Sequence, residues 1–267
     1  MNELVKRIIV AVIAIPALLF IYYYGDIFLL TFLLVLSLAC ALELTKMLKN
    51  KSINIMISVV PLTAFLTFLT ASYNIKYSIY LLFISLLIFS AEDIFKNRIE
   101  GSIKRISSSL MIMIYCGISL GLVYQVHSLP NGRFLLPILS ILIWLTDTAA
   151  YFVGMSLGKH RGIFKVSPKK SVEGFIGGFV SAMLFALLAH FLKPEIFHLS
   201  TSLLMGLTIG TVGQFGDLFE SLLKRDCNIK DSSNFIPGHG GILDRFDSFI
   251  IAIPVFYIIY SIGVISL

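Results

Sequence analysis

The sequence predicts an all-α, polytopic membrane bundle of about nine transmembrane helices, and three observations carry that prediction. Hydrophobic residues make up 57% of the 267 and charged ones 13%, with a mean hydropathy of +0.92, which is too apolar for a soluble domain of this length. Nine apolar runs match the roughly 20 residues that a helix needs to cross a hydrocarbon core about 30 Å thick. Each run is continuously apolar rather than alternating, so a transmembrane β-barrel is excluded.

The first run, 6–24, follows Lys6 and Arg7 as a signal peptide would. No small-residue cleavage site follows Ile21-Tyr22-Tyr23-Tyr24, so a retained span is expected. The next four spans are expected at 27–46, 54–72, 76–92 and 108–128. Pro16, Pro61 and Pro254 lie inside spans, where packed neighbours tolerate a kink. Residues 1–130 hold few charges at membrane depth, no glycine-rich loop and no internal repeat, and they read as scaffold. Their exceptions, Glu43 and Glu92, fall near span ends and read as interfacial. Residues 131–267 supply the spans 134–157, 172–192, 199–223 and 243–265, with cytoplasmic loops at 158–171 and 224–243. Nearly all the suggestive chemistry lies in this half, which reads as the catalytic region.

Basic residues set the expected orientation. With the N-terminus in the cytoplasm and the C-terminus outside, 18 of the 21 Lys and Arg residues face the cytoplasm, leaving Lys76, Arg133 and Lys193 on the other side. The net charge of +6 therefore reflects a basic membrane face and calls for no nucleic-acid partner. The three cysteines form no disulfide framework: Cys40 and Cys116 sit in spans and Cys227 in a cytoplasmic loop.

Two stretches of the second half concentrate polar residues. In Trp144–Gly154, Asp147, Tyr151 and Gly154 recur at helical spacing, and an ionisable residue in a span is costly unless paired or hydrated. The loop from Gly158 to Gly174 carries Lys169 and Lys170 into a span whose start is capped by Ser167 or by Ser171. Lysines and free backbone N–H groups at a helix N-terminus suit a phosphate. Gly174 to Gly178 suit close helix packing, within one protomer or in a homodimer.

The richest segment runs from Ser221 to Asp247. Asp217, Glu220, Ser221 and Lys224 share one helical face at its cytoplasmic end, and Asp244 and Asp247 share a face at the start of the last span. Carboxylates converging from two helices repel one another unless cations lie between them, and such oxygens suit Mg²⁺, as one ion or two. Gly238, Gly240 and Gly241 permit turns whose N–H groups face phosphate oxygens. Lys224, Arg225, Lys230 and Arg245 can neutralise phosphate charge, and His239 can donate to it. No GxSxG, HExxH, CxxC or GxxxxGK[ST] pattern is present, so the expected chemistry is phosphoryl or nucleotidyl transfer resting on metal and positioning.

The run through Ser221, Lys224-Arg225, Lys230-Asp231, Pro237, His239-Gly240-Gly241, Asp244-Arg245 and Asp247 resembles the signature of the phosphatidate cytidylyltransferases, without departure from it. The WLTDTAAYFVG and SPKKSVEG stretches are similar to further features of that family, in the same order. The resemblance covers roughly residues 140–250. It implies that CTP and phosphatidic acid give CDP-diacylglycerol and pyrophosphate in an Mg²⁺-dependent in-line displacement. On that reading Asp217, Asp244 and Asp247 hold metal, Lys224 joins them in catalysis, and Asp147, Lys169, Lys170, Ser171, Ser221, Arg225, Lys230, His239, Gly240, Gly241 and Arg245 contact substrate. The protein would lie in the cell (inner) membrane with its site facing the cytoplasm, the lipid tails staying in the bilayer.

Two other readings compete. A CTP-dependent enzyme for another lipid phosphate, of isoprenoid type, would carry a similar motif. An ion-coupled transporter would place its charges near the bilayer midplane and show an inverted repeat, whereas here they cluster at one end.

Overall fold

A computed structural model describes residues 3–56, 59–233, 235 and 240–262, with side chains from residue 12 onward. His239, with Pro237 and Gly238, lies outside the described residues. Among the described residues the chain forms nine helices: α1 (Glu3–Tyr24), α2 (Asp26–Asn50), α3 (Val59–Tyr73), α4 (Ile75–Phe95), α5 (Ser102–His127), α6 (Gly132–Leu157), α7 (Val172–Leu192), α8 (199–226) and α9 (Leu243–Ser261). Five of them, α2, α4, α5, α6 and α7, are long and apolar enough to cross a membrane. The expected all-helical architecture is observed.

Helix ends differ from the apolar runs for a simple reason. Hydropathy measures hydrocarbon depth, while helices continue into polar residues until a cap or turn stops them. Thus α2 extends to Asn50, and α5 starts at Ser102 directly after Gly101, whose φ is +74°. Conversely Ile53–Met56, which overlaps the expected run at 54–72, is not helical, and α3 is described from Val59. At α4 the Asn74 side chain accepts a hydrogen bond from the Lys76 N–H at 3.0 Å, the capping interaction that satisfies an orphan donor.

The helices sort into two compact units, Met1–Gln125 with Lys224–Arg245, and Val126–Leu223 with Phe246–Leu267, and the divisions fall within α5, α8 and α9. In the first unit Leu29, Leu33, Leu36, Cys40 and Leu44 form a buried stripe on α2 at helical spacing. Helix α5 packs on α3 through Gly117 and Gly121, where a Cβ would meet the Ala64 carbonyl at 2.6 Å and the Phe68 carbonyl at 2.9 Å. This small-xxx-small spacing lets two backbones approach closely. At the end of α4, Glu92 pairs with Lys96 and Arg98, and Asp93 with Arg105 at 3.0 Å. Glu92 therefore sits in an ion-pair cluster at a helix end, in keeping with an interfacial residue.

In the second unit α6 crosses α7 through glycines. A Cβ on Gly174 would meet the Ala150 carbonyl at 2.7 Å and Gly154 Cα at 3.2 Å, and one on Gly177 would meet Val153. The Gly174–Gly178 stretch thus packs within its own chain. Helix α8 packs on α7 in the same way at Gly206 and Gly210, and it contains a π-helical turn over Ile209–Gly213. Below that turn Gln214 donates to the carbonyls of Phe175 (3.0 Å) and Gly210 (2.6 Å), fixing the register with which the polar end of α8 begins.

Candidate active site

The polar residues of the second unit gather at the start of α7. Ser171, not Ser167, is the N-cap: its hydroxyl accepts from the Gly174 N–H at 3.1 Å, while Pro168 and Lys169 form a turn ahead of the helix. The loop before it is closed by a bridge between Arg161 and Ser171 and by Glu173, which accepts from the Lys159 N–H (3.1 Å) and from His160 Nδ1 (2.5 Å). This closure presents Lys170 toward α8, where its ammonium donates to Asp217 Oδ2. Asp147, exposed on α6, lies within electrostatic range of both. Lys169 is exposed, and so is Tyr151, whose ring lies against Phe152.

Helix α9 meets α8 at Gly216, where a Cβ would sit 3.0 Å from the Asp247 carbonyl and 2.9 Å from Ser248 Cα. A side chain there would separate the helices, so glycine brings the turn holding Asp247 beside the turn holding Asp217. Asp247 accepts from the Ser248 N–H at 2.6 Å. Ser221 donates to Asp217 Oδ1 at 3.5 Å, as the shared helical face predicts, whereas Glu220 is fully buried.

In the first unit a second carboxylate–lysine pair appears. Lys224 donates to Asp244 Oδ1 at 2.6 Å, and both side chains are nearly buried, at 12% and 6% exposure. Asp244 Oδ2 accepts from the Ser232 N–H at 3.0 Å and from the Gly241 N–H at 2.7 Å, and at 3.0 Å it shares the one proton of the Ser232 hydroxyl with Glu43 Oε2. Asp244 thus holds the segment that carries it, and the Gly241 amide is directed at a carboxylate. Gly240 has φ +83°, and a Cβ there would meet Asp244 Oδ2 at 2.8 Å, so glycine is required on two counts. Arg225 donates to the Ile229 carbonyl at 3.2 Å, while Lys230 and Arg245 are exposed.

Sequence reasoning missed Glu43. Set in α2 and buried, it accepts from Ser233 Oγ (2.5 Å), Ser232 Oγ (2.9 Å), Ile242 N (3.0 Å) and Leu243 N (2.9 Å). Its partners lie 189 to 200 residues away, so no local pattern reveals them. The one available signal was an acid in a span, which is costly unless partnered.

Among the described residues no group of three or more His, Cys, Asp or Glu side chains is arranged to hold a metal ion. The donor chemistry nonetheless fits Mg²⁺, which is commonly held by one or two carboxylates plus substrate phosphates. Asp217 and Asp244 already bind a cation each, in the form of a lysine ammonium.

Comparison with known proteins places the chain in a family. The cytidylyltransferase family matches residues 5–263. A phosphatidate cytidylyltransferase of Bacillus subtilis (strain 168) is 34% identical over 273 residues, covering 98% of this chain and 99% of the relative. Phosphatidate cytidylyltransferases of Staphylococcus haemolyticus (strain JCSC1435) and Staphylococcus aureus (strain COL) are 36% and 37% identical, each over 67% of both chains. With the match running through scaffold and polar segments alike, this chain belongs to the cytidylyltransferase family.

Proposed function

We propose that the protein transfers a cytidylyl group from CTP to phosphatidic acid, giving CDP-diacylglycerol and pyrophosphate at the cytoplasmic face of the cell (inner) membrane. The observation that carries this reading is the Lys170–Asp217 pair at the capped N-terminus of α7, beside Asp147, in a chain that the family matches from end to end. A phosphate oxygen of phosphatidic acid forms the new bond to the α-phosphorus of CTP. The bond from that phosphorus to the bridging oxygen breaks, and its electron pair leaves with pyrophosphate. The attacking monoester is largely ionised near neutral pH, so no strong general base is needed.

The main barrier is repulsion between two anions, which clustered cations lower. Lys169, Lys170 and the α7 N-terminus, and Lys224, Arg225, Lys230 and Arg245, are the groups proposed to supply that positive potential. Magnesium would supply stabilisation of the charge that develops on the leaving group. Asp217, Asp244 and Asp247 are the residues proposed to hold it, as one ion or two. Ser171, Ser221, Asp147, His239, Gly240 and Gly241 complete the proposed substrate contacts.

Incubating the purified protein with CTP, Mg²⁺ and a panel of diacyl and isoprenoid lipid phosphates tests the reading directly. CDP-diacylglycerol and pyrophosphate should form in equal amounts. Product with the isoprenoid phosphate alone would replace the acceptor, and no product with any lipid would remove the function.

A further inference from the structure

We infer that Glu43, in the N-terminal half, is a positioning residue that ties Ser232 and Ser233, at one end of the 232–244 segment, to Ile242 and Leu243 at the other, and so sets where Asp244 and Lys224 stand. This rests on the function proposed above, and it concerns a residue that lies outside the signature stretch. The argument starts from the hydrogen bonds. One carboxylate oxygen, Oε1, accepts from Ser233 Oγ at 2.5 Å and from Ile242 N at 3.0 Å. The other, Oε2, accepts from Ser232 Oγ and Leu243 N, each at 2.9 Å. Each oxygen therefore ties the early end of the segment to its late end, across residues 232–243.

The two late contacts are backbone amides at the first turn of α9, where orphan N–H groups and the helix dipole favour a negative charge. A carboxylate on α2 thus does for α9 what a local capping residue does for other helices. Gly241 records how close the approach is: a Cβ there would collide with Ser232 Oγ and lie 2.7 Å from Glu43 Oε2. The segment so held presents Asp244, whose Oδ2 receives Ser232 and Gly241 and whose Oδ1 receives Lys224. Glu43 touches none of the reacting groups in this scheme. It sets where Asp244 and Lys224 stand.

Glutamine is the informative replacement. A backbone N–H can only donate, and each oxygen of Glu43 receives one, so Glu43→Gln strands one amide whichever way its side-chain amide turns. The shape of the side chain is kept. The test measures two things on the full-length protein in detergent: hydrogen exchange of peptides covering 231–247, and kcat and KM for CTP with phosphatidic acid.

The expected result is exchange at Ile242–Leu243 faster by about tenfold or more, with α3 and α5 peptides unchanged, and a kcat/KM lower by about tenfold or more from misplaced contacts. Unchanged exchange in that segment, or wild-type kcat and KM despite faster exchange, would overturn the inference. So would a general rise in exchange throughout the first unit, which would mark Glu43 as a fold residue rather than a positioning one. If the wild-type protein itself makes no CDP-diacylglycerol, the proposed function fails, while the exchange arm still decides whether Glu43 holds the segment.

Discussion

Lys170 and Asp217 meet across 47 residues of chain, the ammonium of one donating to Oδ2 of the other. Their side chains are 31% and 33% exposed, so the pair lies within reach of solvent and of a bound ligand. An ion pair this open contributes about 0–1 kcal/mol to stability.

Replacing Asp217 with Asn, or Lys170 with Met, should therefore leave the melting temperature in detergent nearly unchanged. Turnover should fall by about a hundredfold or more, the scale seen when a preorganised charge is removed from a transferring group. A variant that keeps near-normal turnover would take its residue out of the mechanism.

Asp244 belongs to a nearly buried pair with Lys224, and breaking such a pair costs about 3–5 kcal/mol. Asp244→Asn should therefore lose both stability and turnover. Thermal denaturation run beside the activity assay reads the two, and an unchanged melting temperature would contradict the cost of breaking a buried pair.

Charge reversal separates a site from bulk electrostatics. Lys224→Glu puts a like charge against Asp244 and should abolish CTP use, while Lys96→Glu alters an exposed residue paired with Glu92 at the end of α4 and should keep most activity. Initial rates at two ionic strengths read the difference. Equal losses would mean that only the overall positive face matters.

Cys227 provides a pH-dependent readout. Burial pushes its thiol above the ordinary 9.0, and the neighbouring Asp226 carboxylate acts in the same direction. Near pH 7 the folded protein should react slowly with maleimide at this position compared with the unfolded chain, and the rate should climb with pH. Because the folded value is the raised one, the unfolded thiol ionises first, so this group's contribution to stability is complete below 9.0 and declines as pH rises past it. Labelling followed by peptide mass spectrometry checks the rate, and fast labelling at pH 7 would show an accessible thiolate instead.

How much of the site was legible depends on the distance over which each residue acts. Ser221 and Asp217 are one turn apart, so helical spacing predicts their contact, and it is observed. The cap of α7 left Ser167 and Ser171 open, because both precede plausible starts; the turn at Pro168–Lys169 settles it for Ser171. The glycines at 240 and 241 read as a phosphate cradle, yet one carries a positive φ and the other packs against Ser232 and Glu43. Local composition signalled a special backbone there without saying what the backbone faces.

By itself the sequence determined the class of protein and its resemblance to a family. Long apolar runs must satisfy their backbone groups internally in a bilayer, which leaves helices as the solution, and a signature stretch of acids, lysines and glycines is read without coordinates. The tertiary structure decided which charge each acid meets: Lys170 for Asp217, Lys224 for Asp244, and the Ser232–Leu243 segment for Glu43. The physical reason is range. Helical periodicity relates residues three or four apart, while an ion pair or a borrowed helix cap joins groups that only packing brings within 3 Å or so.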